Sequence, residues 1–271
     1  MWGVILALLL LVAGNVRSVA QTVPVPPPRG EYDVGIGLRL GGATHSLSAN
    51  VEVPTMNGAD SGRCGFFDEG SGDDVNIGVI GSLRLTRWLA VDAGIVASFV
   101  DGRLAFPCVE RADIRLPDGS LTAAETEFVR TSKGRMFEAE FGVRAMPVRS
   151  VPIWVGVLGR IAVQENDEAE YTEEVVTPQG AIFPGIGEVR PIASARDDVP
   201  TSSFTFGPNL SADIRVGERA RLRPLIGYLF DLNNLDASPS LRRNRFITAL
   251  SLEFLFSTGN PHSTPLEPQG N

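Results

Sequence analysis

Residues 32–40, Tyr-Asp-Val-Gly-Ile-Gly-Leu-Arg-Leu, set an apolar side chain at each even position and a polar residue or glycine at each odd one. A period of two marks a β-strand with one apolar face. The same alternation returns over 75–85, 89–99, 137–145, 153–163, 204–216, 222–232 and 246–256. The pattern predicts an all-β chain of eight antiparallel strands, each long enough for the roughly 9 to 11 residues of a tilted membrane strand.

The composition of the two faces carries the next step. One face holds Val34, Ile36, Leu38, Ile77, Val79, Ile95, Phe141, Val157, Leu210, Ile226 and Leu252, and no charge in any segment. The other holds Asp33, Arg39, Arg84, Asp92, Glu138, Glu140, Arg144, Arg160, Asp213, Arg215, Arg223, Asp231 and Glu253, interleaved with glycines. A soluble β-sandwich alternates too, with its apolar face as the core. Three features favour a closed up-and-down transmembrane β-barrel instead. A charge on a lipid face costs about 2–4 kcal/mol at the bilayer midplane, which accounts for its exclusion over eight segments. The connections alternate short (86–88, 146–152, 217–221) and long (41–74, 100–136, 164–203), as periplasmic turns and extracellular loops do. Aromatic residues gather at strand ends, with Tyr32, Trp88, Trp154, Phe254 and Phe256 toward one rim and Phe99, Phe137, Phe204, Phe230 and Phe246 toward the other, as in interfacial girdles. Pro208 and Pro224 fall inside strands and lack the N–H of a ladder, so a local bulge is expected at each.

Ahead of the strands, residues 1–20 combine a short apolar run with Ser18-Val19-Ala20, the pattern of a cleaved signal peptide. A Pro-rich connector follows over 21–30, then a barrel over 31–256 and a flexible periplasmic tail over 257–271. Export to an oxidising compartment lets Cys64 and Cys108, in the first two long loops, form a disulfide. The net charge of −8 and the lack of any basic run exclude nucleic acid as a partner.

The chain resembles the OmpA-like and porin-like outer-membrane β-barrels over residues 31–256. The likeness rests on Gly35-Ile-Gly-Leu-Arg-Leu-Gly-Gly42, on Cys64-Gly-Phe-Phe67 with Gly70-Ser-Gly72, and on the closing Ile247-Thr-Ala-Leu-Ser-Leu-Glu-Phe-Leu-Phe256. It implies a bacterial outer-membrane location, contact with outer-membrane lipids, and recognition of Phe254 and Phe256 by the barrel-assembly machinery as an insertion signal. No peptidoglycan-binding domain follows the barrel in this chain, so a cell-wall tether is not expected.

Eight strands enclose a space that side chains just fill, and buried charge is tolerated when paired. The inward charges are therefore expected to form an ion-pair network that plugs the lumen. A proton path or catalytic pair at Glu138 and Glu140 is the sharper alternative. A lipid-modifying enzyme needs a base, and His45 with Ser46, Ser48 and Glu52 is the available group. The acidic run Glu165, Asp167, Glu168 and Glu170 is a weak candidate for Mg²⁺ or Ca²⁺ at the outer surface. No cofactor is called for. The expected role is non-enzymatic, structural or surface interaction through the extracellular loops with an unidentified ligand. A narrow passive pore is the alternative, and a lipid-modifying enzyme the third.

Overall fold

The computed structural model describes residues 33–52, 66–116, 118–148, 151–164, 168–196, 202–217, 219–232 and 242–257. The predicted signal peptide, the connector, the tail beyond residue 257, Cys64, Glu165 and Asp167 lie outside them, as do the side chains of Asp33, Glu52, Cys108 and Glu168.

The strands are β1 (Asp33–Glu52), β2 (Phe66–Arg84), β3 (Leu89–Arg115), β4 (Leu121–Ala145), β5 (Ile153–Gln164), β6 (Glu168–Thr177), β7 (Val189–Arg196), β8 (Ser202–Ala212), β9 (Ile214–Arg215), β10 (Ala220–Asp231) and β11 (Arg242–Ser257). They hydrogen-bond in the order β3-β2-β1-β11-β10-β8-β5-β4, and a further β3–β4 ladder joins the two ends of that path. The sheet is therefore a closed ring of eight strands, with β9 continuing β8 against β10. Every pairing is antiparallel, and β1 closes onto β11 from Asp33↔Ser257 to Ser48↔Arg242. Closure leaves no free edge in the ring, which is what spanning a bilayer with strands requires.

Around the ring the outward positions are large, apolar and exposed. They include Ile36, Leu38 and Leu40 on β1, Ile77 and Val79 on β2, Ile95 and Phe99 on β3, Phe141 and Val143 on β4, and Phe254 and Phe256 on β11. This apolar belt occupies 34–40, 75–83, 89–99, 137–145, 153–163, 204–214, 222–232 and 246–256, which are the membrane-spanning segments. Above it the faces exchange character. On β1, Leu47 and Ala49 turn inward and are buried while Ser46, Ser48 and Asn50 face out; on β3, Val100 and Leu104 are buried while Asp101 and Arg103 are exposed.

This inversion corrects the expected loops. Much of what the sequence pattern assigns to long connections is strand: β3 has 27 residues and β4 has 25. At roughly 3.3 Å per residue such strands run on the order of 80 to 90 Å, far beyond the bilayer. Outside lipid the outward face has no reason to stay apolar, so the alternation changes phase and the period appears broken. In the third connection, β6 pairs with the upper part of β4, and β7 pairs with β6, extending the wall upward as a four-stranded sheet with β3 and β4.

The prolines also differ from expectation. Pro208 stands opposite Val157 and Pro224 opposite Leu250 in unshifted registers, so neither forms a bulge. On its other side, the β8–β10 ladder lapses at Pro208 and Gly207, opposite Tyr228 and Leu229, and resumes in the same register. The strand break at Asp213 likewise lies across from Arg223 and Pro224, between the two stretches that pair with β10. A missing N–H interrupts these ladders without displacing them.

The belt fixes a testable boundary on one face of one strand. Leu38→Arg is expected to destabilise the barrel by about 2–4 kcal/mol, whereas Ser46→Arg, above the belt, changes stability by about 0.5 kcal/mol or less. Urea unfolding in lipid vesicles measures both.

Candidate functional site

Strand parity dictates what fills the ring. Because the outward face carries no charge, the charged residues of the alternate positions point into the lumen, and eight strands bring these side chains within reach of one another. Two ionic layers result.

The layer nearer the short turns gathers charges from five strands and from Asp213. Arg144 donates to Asp92 at 3.0 Å and to Asp213 at 3.1 Å, and Arg223 donates to Asp92 at 2.7 Å. Arg84 and Arg221 both reach Asp213, at 3.2 and 3.0 Å. Glu253 accepts from Ser82 at 2.8 Å and pairs with Arg223 at 2.7 Å and with Arg221. The Trp154 ring is stacked beneath two of these guanidinium groups, 4.5 Å from Arg144 and 5.4 Å from Arg84. Trp154 is fully buried and so is not part of a rim girdle; it neighbours outward Ile153 and Val155 and must point the other way. Trp88, in the β2–β3 turn, is half exposed.

In the middle layer Arg39 pairs with Glu140, and Arg160 bridges Glu140 at 3.0 Å and Glu138 at 2.8 Å. Glu138 also pairs with Arg245 and accepts from Ser98 at 3.3 Å, and Arg39 donates to Ser251 at 3.3 Å. Inward glycines clear the space: a Cβ on Gly35 would come within 2.6 Å of Ser82 Oγ and 2.7 Å of Glu253 Oε2. Beside these charges Leu158, Leu225, Leu229 and Ile247 form a buried apolar wedge.

Of the sequence-predicted charges, Arg39, Arg84, Asp92, Glu138, Glu140, Arg144, Arg160, Asp213, Arg223 and Glu253 thus meet in these two layers. Arg215 is exposed at the rim, at the end of the short β9. Asp231 sits at the top of β10, where it accepts from the Arg243 backbone N–H at 3.1 Å. Asp33 has its backbone opposite Ser257. The reading missed Arg221, Arg245 and Asp74, which lie just beyond the strand limits drawn from the apolar period; one more step of parity at each end reaches them.

Above the membrane-spanning segments, His45 is buried beside Arg243 and Arg245, its ring accommodated by the absence of a side chain at Gly72. Burial, reinforced by those two guanidinium groups, lowers its pKa to about 3. Ser46 and Ser48 are exposed, Ser46 facing away from His45 as alternation requires, and the side chain of Glu52 lies outside the described residues. Higher still, Leu47, Phe67, Leu104 and Tyr171 form a buried apolar cluster, with Arg130 donating to the Tyr171 hydroxyl at 3.2 Å. In the acidic run, Glu168 and Glu170 are held along β6, opposite Lys133 and Thr131 of β4. Among the described residues no group of three or more His, Cys, Asp or Glu side chains is placed to hold a metal ion.

Single removal from the middle layer strands a buried guanidinium, so Glu140→Gln is expected to cost about 3–5 kcal/mol. The Arg39→Met/Glu140→Gln double variant costs less than the two single changes added, as a double-mutant cycle by urea unfolding measures. His45 stays neutral from pH 8 to pH 5 in imidazole NMR, while His262 serves as the chain's other histidine signal. Since the unfolded chain takes up that proton and the folded one does not, His45 opposes folding progressively as pH falls from about 6.5 towards 3.

No protein-family model and no curated protein matches the chain. Among solved structures it is similar to Neisserial surface protein A (8% identity, TM-score 0.30, 80% of this chain and 96% of that one). It is also similar to the outer membrane protease OmpT from Escherichia coli (12% identity, TM-score 0.29, 84% and 98%). A third likeness is to the attachment invasion locus protein Ail of Yersinia pestis (12%, TM-score 0.22, 82% and 99%). All three are distant, whereas strand pairing and the distribution of charge are this chain's own. A ring closed by the β3–β4 ladder, oily outside and ion-paired within, makes this protein a closed antiparallel β-barrel of eight strands.

Proposed function

We propose that the protein is a non-enzymatic, closed outer-membrane barrel whose above-membrane wall serves as a surface for interaction, delivered to its compartment by residues 1–20 as an export signal. The observation that carries this reading is the sequence of layers met along the lumen: two ionic layers, then the apolar cluster of Leu47, Phe67, Leu104 and Tyr171. Buried guanidinium and carboxylate groups locked to one another are poor ligands for a passing ion, because each transfer breaks a desolvated pair. Above that seal the chain invests most of β6, β7 and the upper halves of β1 to β4 in ordered sheet outside the bilayer. A structural plug with a tall outer wall suits presentation better than passage.

The passive-pore reading predicts the opposite electrical behaviour. In planar bilayers the purified barrel is expected to give no discrete conductance steps. Steady ohmic steps from the folded, heat-modifiable protein would discard the closed-barrel reading in favour of a pore.

A further inference from the structure

Four large aliphatic side chains at the far end of the outer sheet face solvent: Val176, Ile182, Ile186 and Val189. They lie on the third connection, beyond the part of β4 that pairs with β6, so the membrane does not cover them. Val189 stands opposite Glu174, and Val176, two residues along from Glu174, shares that face as a diagonal neighbour. The turn that carries them is braced. Ala181 and Phe183 are buried against Leu116 and Val175, and Arg115 and Ile182 exchange backbone hydrogen bonds of 2.9 Å. Arg190 lies 4.7 Å over the Phe183 ring while paired with Glu173.

Exposed aliphatic groups held on a fixed framework mark an interaction site. The charge around this patch says what fits it. Asp118, Glu125 and Glu188 are exposed and Glu127 and Glu174 half-buried, against an exposed Arg115, an Arg103 that pairs with Glu127 at 3.5 Å and Glu174 at 3.2 Å, and an Arg190 engaged by Glu173, which leaves carboxylates in excess. A second copy of the same tip would bring carboxylate against carboxylate, at a cost in the encounter and in the complex. We propose that this tip docks a polypeptide partner presenting aliphatic side chains ringed by lysine or arginine. The proposal rests on the reading of the outer wall as an interaction surface and adds the place and chemistry of the contact. Aliphatic burial supplies the affinity, and the acidic rim supplies steering and selects against acidic surfaces.

The barrel in phosphatidylcholine nanodiscs, titrated with synthetic peptides and corrected against empty nanodiscs, tests it. A peptide alternating Lys and Leu is expected to bind saturably and more weakly as salt rises. Replacing its Leu with Ser weakens binding on the order of tenfold or more, and a Glu/Leu peptide does not bind. The V176S/I186S/V189S variant, with heat-modifiable migration intact, loses a similar factor. E174Q/E188Q flattens the salt dependence. The proposal is overturned if the Lys/Leu peptide fails to bind, binds the triple variant equally well, or is matched by the Lys/Ser peptide. A dimer seen by sedimentation and abolished in the triple variant would put a second copy in the partner's place and overturn it as well. A non-conducting barrel that ignores the peptide sinks this proposal alone, whereas a conducting one sinks the surface reading beneath it.

Discussion

An ionised side chain has two tolerable settings in this molecule, water or a partner of opposite charge, and the hydrocarbon of a bilayer offers neither. That exclusion organises the protein. It sends every spanning-segment charge to the inner face, so the lumen receives more arginine and carboxylate than a packed core of this width ordinarily holds. The charges then have to neutralise one another at close range, which the Asp92, Asp213, Glu138, Glu140 and Glu253 carboxylates achieve by each serving two or more guanidinium groups. Inward glycines such as Gly35 follow from the space these groups need.

The same exclusion protects register. Sliding one strand by a single residue exchanges its two faces, so β1 would offer Arg39 to lipid and set Leu38 among the ion pairs. Ladders interrupted by Pro208 and at Asp213 resume in the register they left, consistent with a pairing held by side chains on both faces as much as by its hydrogen bonds. Above the bilayer the penalty disappears and with it the reason for an apolar exterior. There the wall is built as an ordinary sheet with a greasy inside, Leu47 and Leu104, and a wet outside, Ser46 and Arg103.

Within the bilayer the sequence was legible, because parity alone separates Leu38 from Arg39 and Phe141 from Glu140. It was less legible where one signal was asked to do two jobs. Strand limits drawn from outward apolar residues stop at the membrane surface, which puts Asp74 and Arg245 in connections although both are buried. Position near a strand end groups Trp154 with rim aromatics, although its parity points inward. Arg215 had the right parity but falls where the strand is ending and the ring no longer encloses it. The hairpin of β6 and β7 gives little periodic signal, since its exposed positions mix Glu170 with Val176 and Val189 and its buried ones include Glu173 beside Ala169 and Tyr171.

The unbroken length of β3 and β4 has a mechanical meaning. Both run from the short turns at one rim through the bilayer and on into the outer sheet, and they remain paired to each other nearly throughout. A pull on the outer end of such a pair along the strand axis loads many hydrogen bonds side by side, in shear, rather than opening them one after another like a zip. Force reaching the outer wall is thereby handed to the ring itself, through a pair whose mutual register is continuous from Leu89↔Ala145 to Cys108↔Thr126.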